Sequence, residues 1–176
     1  VYQLKIPGSM TSPSEQRLYL ALLLSENELD QWDNVDMLAA EAITEGIDTP
    51  AVLALASQSS PIDAFMLKDL LNDLAEEREW PSREVSESIL LIAMFRARDV
   101  LDKGMDPIAA CDFIYQQCYL KLENQGDMTG MSKLQSFVEV SISWDENIVS
   151  TKRSDSLALS EELRGEALAA FRALLA

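Results

Sequence analysis

Asp30, Asp33 and Asp36 stand at intervals of three. Closely spaced aspartates are hard oxygen donors of the kind that hold Mg²⁺. Catalytic use would need them on one helix face, with a second donor set facing them. Neither condition is expected. Trp32-Asp33-Asn34 reads as a break between helices, and no second aspartate-rich stretch follows. The chain has no histidine, which removes the commonest general base and the commonest metal ligand together. Two cysteines, Cys111 and Cys118, cannot complete a zinc set alone. Asp145-Glu146-Asn147 lacks the glycine and the terminal glutamate of a calcium loop. The glycines are scattered, so no phosphate-cradling loop forms. Without histidine a serine could be activated only by lysine, and no lysine stands at a suggestive spacing. Acidic pairs suited to a two-carboxylate hydrolase abound, but nothing marks one above the others. The expectation is a protein without catalytic residues, metal or cofactor.

The same aspartates belong to a larger asymmetry. Between Leu18 and Leu67 lie nine carboxylates and no lysine or arginine. They are Glu26, Glu28, Asp30, Asp33, Asp36, Glu41, Glu45, Asp48 and Asp63. The net charge of the whole chain is −16, so this segment carries more than half of it. Charge of one sign repels itself and opposes folding. A surface helix ordinarily relieves that repulsion with lysines four residues on, and none is present here. The bland alternative is a solvated face. Trp32, at the expected break, tips the reading toward an interface, because tryptophan anchors many interfaces. Core packing of Trp32 is the competing reading. The candidate partner-binding residues are therefore Glu26, Glu28, Asp30, Trp32, Asp33, Asp36, Glu41, Glu45 and Asp48, with Asp63 set apart beyond the next helix.

At 176 residues, 48% of them apolar, the chain is long enough for a core. Residues 1–9 read as a cloning linker and 10–176 as a single α-helical domain. The longest apolar runs, Leu18–Leu24 and Ile89–Phe95, have seven residues each, against about 20 for a membrane span. No signal segment follows Met10, so a cytoplasmic location without membrane contact is expected. In a helix Cys111 and Cys118 would be roughly 10 Å apart, too far for a disulfide. They read as small buried apolar residues in a reducing compartment.

Prolines mark the helix boundaries. Ser12-Pro13, Thr49-Pro50, Ser60-Pro61 and Asp106-Pro107 each place a capping side chain before proline, the pattern of N-cap followed by N1. Glu15 completes a capping box with Ser12. Helices are predicted over 13–29, 34–45, 50–57, 61–79, 82–103, 107–123 and 160–175. Gly46 and Gly104 would end the second and fifth. Phe65 and Met66 are assigned to the inward face of the fourth. Ile89–Phe95, apolar on all sides, marks the fifth helix as central. Arg96 and Arg98 beside it suggest a semi-buried ion pair, and Lys152-Arg153 a solvated tip. Val138, Val140, Ile142 and Trp144 alternate with polar residues, which predicts a strand. A turn at 145–147 and a return over 148–151 would make a hairpin. The fold class is mainly α: a single-domain bundle of six or seven helices with a small β-hairpin near the C-terminus.

An acidic, mainly helical chain of this size without a catalytic set resembles the immunity proteins of bacterial polymorphic toxin systems, in overall character. The resemblance implies direct binding of a basic toxin domain and inhibition of it. Complementary charge would speed the encounter toward about 10⁸–10⁹ M⁻¹s⁻¹. Direct nucleic-acid binding is disfavoured, because phosphate contacts need clustered bases. The alternatives are a nucleic-acid mimic, a regulatory adaptor, or a carboxylate/Mg²⁺-dependent helical enzyme.

Overall fold

Four of the helix starts use a serine, threonine or aspartate as N-cap, and three of those have proline at N1. The computed structural model describes residues 10, 12–150 and 155–176. Contacts between Cα atoms divide the chain into two compact units, 1–88 and 89–176. The expected linker at 1–9 and the basic tip Lys152-Arg153 lie outside the described residues.

The first unit is built on α1 (Pro13–Glu26). Every residue from Leu18 to Leu24 is buried, as expected of a helix that is apolar all round. Helix α1 packs against α2 (Val35–Thr44) and α4 (Ala64–Glu77), and α3 (Pro50–Ala56) packs against the same two. Asn27 closes α1: its buried amide donates to the Leu23 carbonyl at 2.7 Å. Gly46, at φ +90°, follows the end of α2. Trp80 is buried and meets Tyr19 edge-on, ring centroids 5.4 Å apart. The unit ends in the first turn of α5 (Val85–Lys103).

Carboxylates from other helices finish two of the helix starts in this unit. Ser12 accepts from the Glu15 amide at 3.3 Å. Glu15 turns away from the expected capping box and accepts from Arg78 and Trp80 instead. The start of α1 is closed by Glu45, at the end of α2, which accepts from the Ser12 hydroxyl and the Ser14 amide. The start of α3 is closed by Glu77, which accepts from the Ala51 amide at 3.1 and 3.2 Å. Ser60-Pro61 does not open α4. Asp63 does, accepting from the amides of Phe65 and Met66 at 3.0 and 3.2 Å. The Ser60 hydroxyl is taken up by Asp36, while the Asp63 carboxylate satisfies two orphan amides and so sets the start.

In the second unit α5 is buried from Ile89 to Ala93. Arg96 lies over the Phe113 ring at 4.4 Å and donates to Met105 Sδ at 3.3 Å. Arg98 lies over Phe95 at 5.8 Å. The expected sixth helix is interrupted: α6 (Pro107–Phe113) passes through a π-helical segment (Ile114–Tyr119) into α7 (Leu120–Gln125). Ile114 rather than Tyr115 takes the fully buried place there. Gly126, at φ +71°, ends α7. Asp127 then opens α8 (Met128–Ser150), accepting from the Gly130 amide at 3.0 Å.

The predicted β-hairpin is absent: among the described residues there is no strand, and 138–144 lie inside α8. Leu134, Phe137, Val138 and Ser141 are buried, at positions i, i+3, i+4 and i+7, while Ile142 is 42% exposed. The alternation was real but local. The stripe that wins starts upstream and uses a small serine, whose hydroxyl donates to Asp112 at 3.3 Å. Helix α9 (Asp155–Leu175) begins earlier than expected and packs on α8 and α6. Phe171 meets Phe137 at 4.8 Å between centroids. Cys111 and Cys118 are free and buried. Among the described residues no helix is long and apolar enough to cross a membrane.

Candidate partner-binding site

The carboxylates of the acidic segment divide according to what the fold does with them. Two bases bracket the segment in sequence, Arg17 and Lys68, and both return to it. The Arg17 guanidinium lies 3.5 Å from Asp33. Burial pulls the Arg17 pKa down and Asp33 pushes it back up. Lys68 attracts Glu26 across a crevice of about 370 Å³ that Asn27, Asn72 and Arg83 also line. Burial raises the Glu26 carboxyl above its ordinary range, and Lys68 opposes the rise. Asp33 and Glu26 are therefore compensated within the unit, and they line different crevices.

Two further carboxylates are held by hydroxyls. Glu45 caps α1, and the bonds from Ser12 and then Ser14 keep its carboxyl below the usual range. Asp36, in the first turn of α2, accepts from the Ser60 hydroxyl, which lowers its pKa in the same way. That bond ties the start of α2 to the segment leading into α4.

Glu28, Asp30, Glu41 and Asp48 remain. All four are exposed, and among the described residues no base pairs with them. Glu28 has φ +57°, a left-handed position after a helix end where glycine is the least strained residue. Its amide donates to the Ser25 carbonyl at 3.2 Å, and the next amide, of Leu29, to Leu24 at 2.9 Å. A glutamate thus holds a position where backbone chemistry alone favours glycine.

Trp32 is half-buried, and its indole Nε1 is closed off from solvent. Phe65 is an exposed aromatic of this unit, 82% open in the first turn of α4, with Met66 beside it 47% open. Both were assigned inward by helical periodicity. The inward face of α4 is instead Leu67, Leu71 and Leu74, because the helix starts at Ala64 rather than Pro61 and its first turn stands clear of the core. Met37, on α2, is 58% open. Between the starts of α2 and α4 runs an open groove of about 370 Å³, lined by Asp33, Asn34, Val35, Pro61, Ile62 and Leu67. Periodicity does not reveal this groove. The one clue in the sequence is Asp63, a strong N-cap residue three positions past Ser60.

Among the described residues no three acidic or cysteine side chains come together to hold a metal ion. Asp30, Asp33 and Asp36 are separated by the α1–α2 connection, where one is exposed, one pairs with Arg17 and one binds Ser60. No known protein family, curated protein or solved structure matches the chain.

Proposed function

We propose that this chain is an acidic protein-binding inhibitor, an immunity protein that neutralises a basic toxin domain by direct contact in the cytoplasm. One observation carries the reading. The fold uses its nearby bases on Asp33 and Glu26 and leaves Glu28, Asp30, Glu41 and Asp48 exposed and uncompensated. Uncompensated like charge disfavours the folded monomer and is relieved when a cationic surface covers it. Glu28 adds weight, since it keeps a charge at a position that glycine would fill with less strain.

Photocrosslinkers at positions 30 and 41, with a control at exposed Ala169, identify the partner. The expected partner is basic, is toxic when expressed alone, and is neutralised by co-expression of this chain. Its association rate is expected to fall about tenfold or more as salt rises from low ionic strength to about 0.5 M. The double substitution Asp30→Lys, Glu41→Lys should abolish protection. An acidic partner, or an association rate indifferent to salt, overturns the reading. A partner that binds nucleic acid and is displaced by it would turn the assignment toward a nucleic-acid mimic.

A further inference from the structure

We propose that the groove between the starts of α2 and α4 is the anchor point of the acidic edge, and that it receives a basic amphipathic helix of the partner. This rests on the protein-binding reading above and specifies its recognition chemistry. Val35, Pro61, Ile62 and Leu67 give the groove an apolar lining, of which Val35 and Leu67 are buried. Met37, two residues past Val35, and Phe65 and Met66, three and four past Ile62, are exposed, although large apolar residues are the first to be covered when a core can take them. Exposed methionine and phenylalanine make an adaptable apolar surface, of the kind amphipathic helices dock on.

The rim supplies the second half of the recognition. Asp36, the residue after groove-lining Val35, accepts from the hydroxyl of Ser60, which also lines the groove. Asp63, the residue after groove-lining Ile62, is held by two backbone amides. Asp30 is exposed in the connection that leads into α2. Carboxylates fixed by hydrogen bonds lose little freedom when a cation arrives, so they select lysine and arginine at low entropic cost. An apolar groove with Asp36 and Asp63 next to its lining residues fits a helix with one apolar face and flanking bases. It does not fit a uniformly cationic strand, which would leave Phe65 and the apolar lining uncovered.

Three synthetic probes test this: a lysine/leucine amphipathic helix of about 18 residues, a scrambled isomer of the same composition, and an oligolysine of equal charge. Binding is read by fluorescence anisotropy at low salt. The amphipathic probe is expected to bind about tenfold or more tightly than either control. Phe65→Ala should remove that advantage while leaving oligolysine binding and the unfolding midpoint unchanged, because Phe65 is 82% exposed. Asp30→Lys should weaken all three probes together. Equal binding of the amphipathic probe and oligolysine, or no effect of Phe65→Ala, overturns the groove and leaves the acidic edge standing. Failure of every probe overturns both.

Discussion

Replacing Glu15 tests whether the first unit is held by carboxylates that reach between helices. Glu15 is 3% exposed, and its Oε1 accepts from Arg78 Nε at 2.9 Å, Arg78 Nη2 at 2.8 Å and Trp80 Nε1 at 3.4 Å. Glu15→Ala removes the acceptor of the Trp80 indole and the counter-ion of Arg78. Breaking a buried ion pair costs about 3–5 kcal/mol. Arg78 keeps 34% of its side chain in solvent, so water recovers part of that loss, and roughly 2–3 kcal/mol is the expected cost. Glu15→Gln keeps the shape and an acceptor and should cost about half as much. Urea unfolding at neutral pH, followed by tryptophan emission, measures both. The double substitution Glu15→Ala, Arg78→Ala should show a coupling of about 1–2 kcal/mol. A loss under about 0.5 kcal/mol for Glu15→Ala, or a coupling near zero, refutes the reasoning: the pair would then be a surface contact of the kind that contributes little.

Three other expectations follow from particular side chains. Folded Glu45 has a lowered pKa, so the unfolded chain binds more protons below the ordinary value of 4.5; the stability Glu45 contributes is present above that value and is lost as pH falls through its folded pKa. Glu45→Gln should therefore flatten part of the acid limb of a urea-midpoint-versus-pH curve, and parallel curves would count against the α1 cap. Glu28→Gly should raise stability by up to about 1 kcal/mol, since it relieves the left-handed backbone, while weakening partner binding; a loss of stability would mean the Glu28 side chain is needed by the fold. Cys111 and Cys118, both pushed up to about 12 chiefly by burial, should react with a disulfide reagent at pH 8 about a thousandfold more slowly than free thiols. Both should react at once in urea, and rapid labelling of the native chain would show that their helices open.

Much of the helical layout is written in local chemistry. Ser12 and Asp106 ahead of prolines start α1 and α6 because capping needs only a side-chain oxygen and the next few amides. Leu18–Leu24 announces a buried helix because no rotation of it exposes a polar face. The absence of histidine and the one-sided charge from Leu18 to Leu67 are likewise plain in the sequence. What local chemistry leaves open is which acid meets which base, since those choices join residues far apart in the chain. Glu15 is claimed by Arg78 and Trp80 rather than by its own cap, Glu45 by α1, and Asp33 by Arg17. The alternation at 138–144 yields to the stripe through Leu134, Phe137, Val138 and Ser141, because α6 and α9 offer that face a place to bury and no neighbouring strand exists among the described residues to take the other. The nine-carboxylate segment was visible in composition; only packing separates Glu28, Asp30, Glu41 and Asp48, left exposed, from those the fold already uses, because charge is compensated through space and not along the chain.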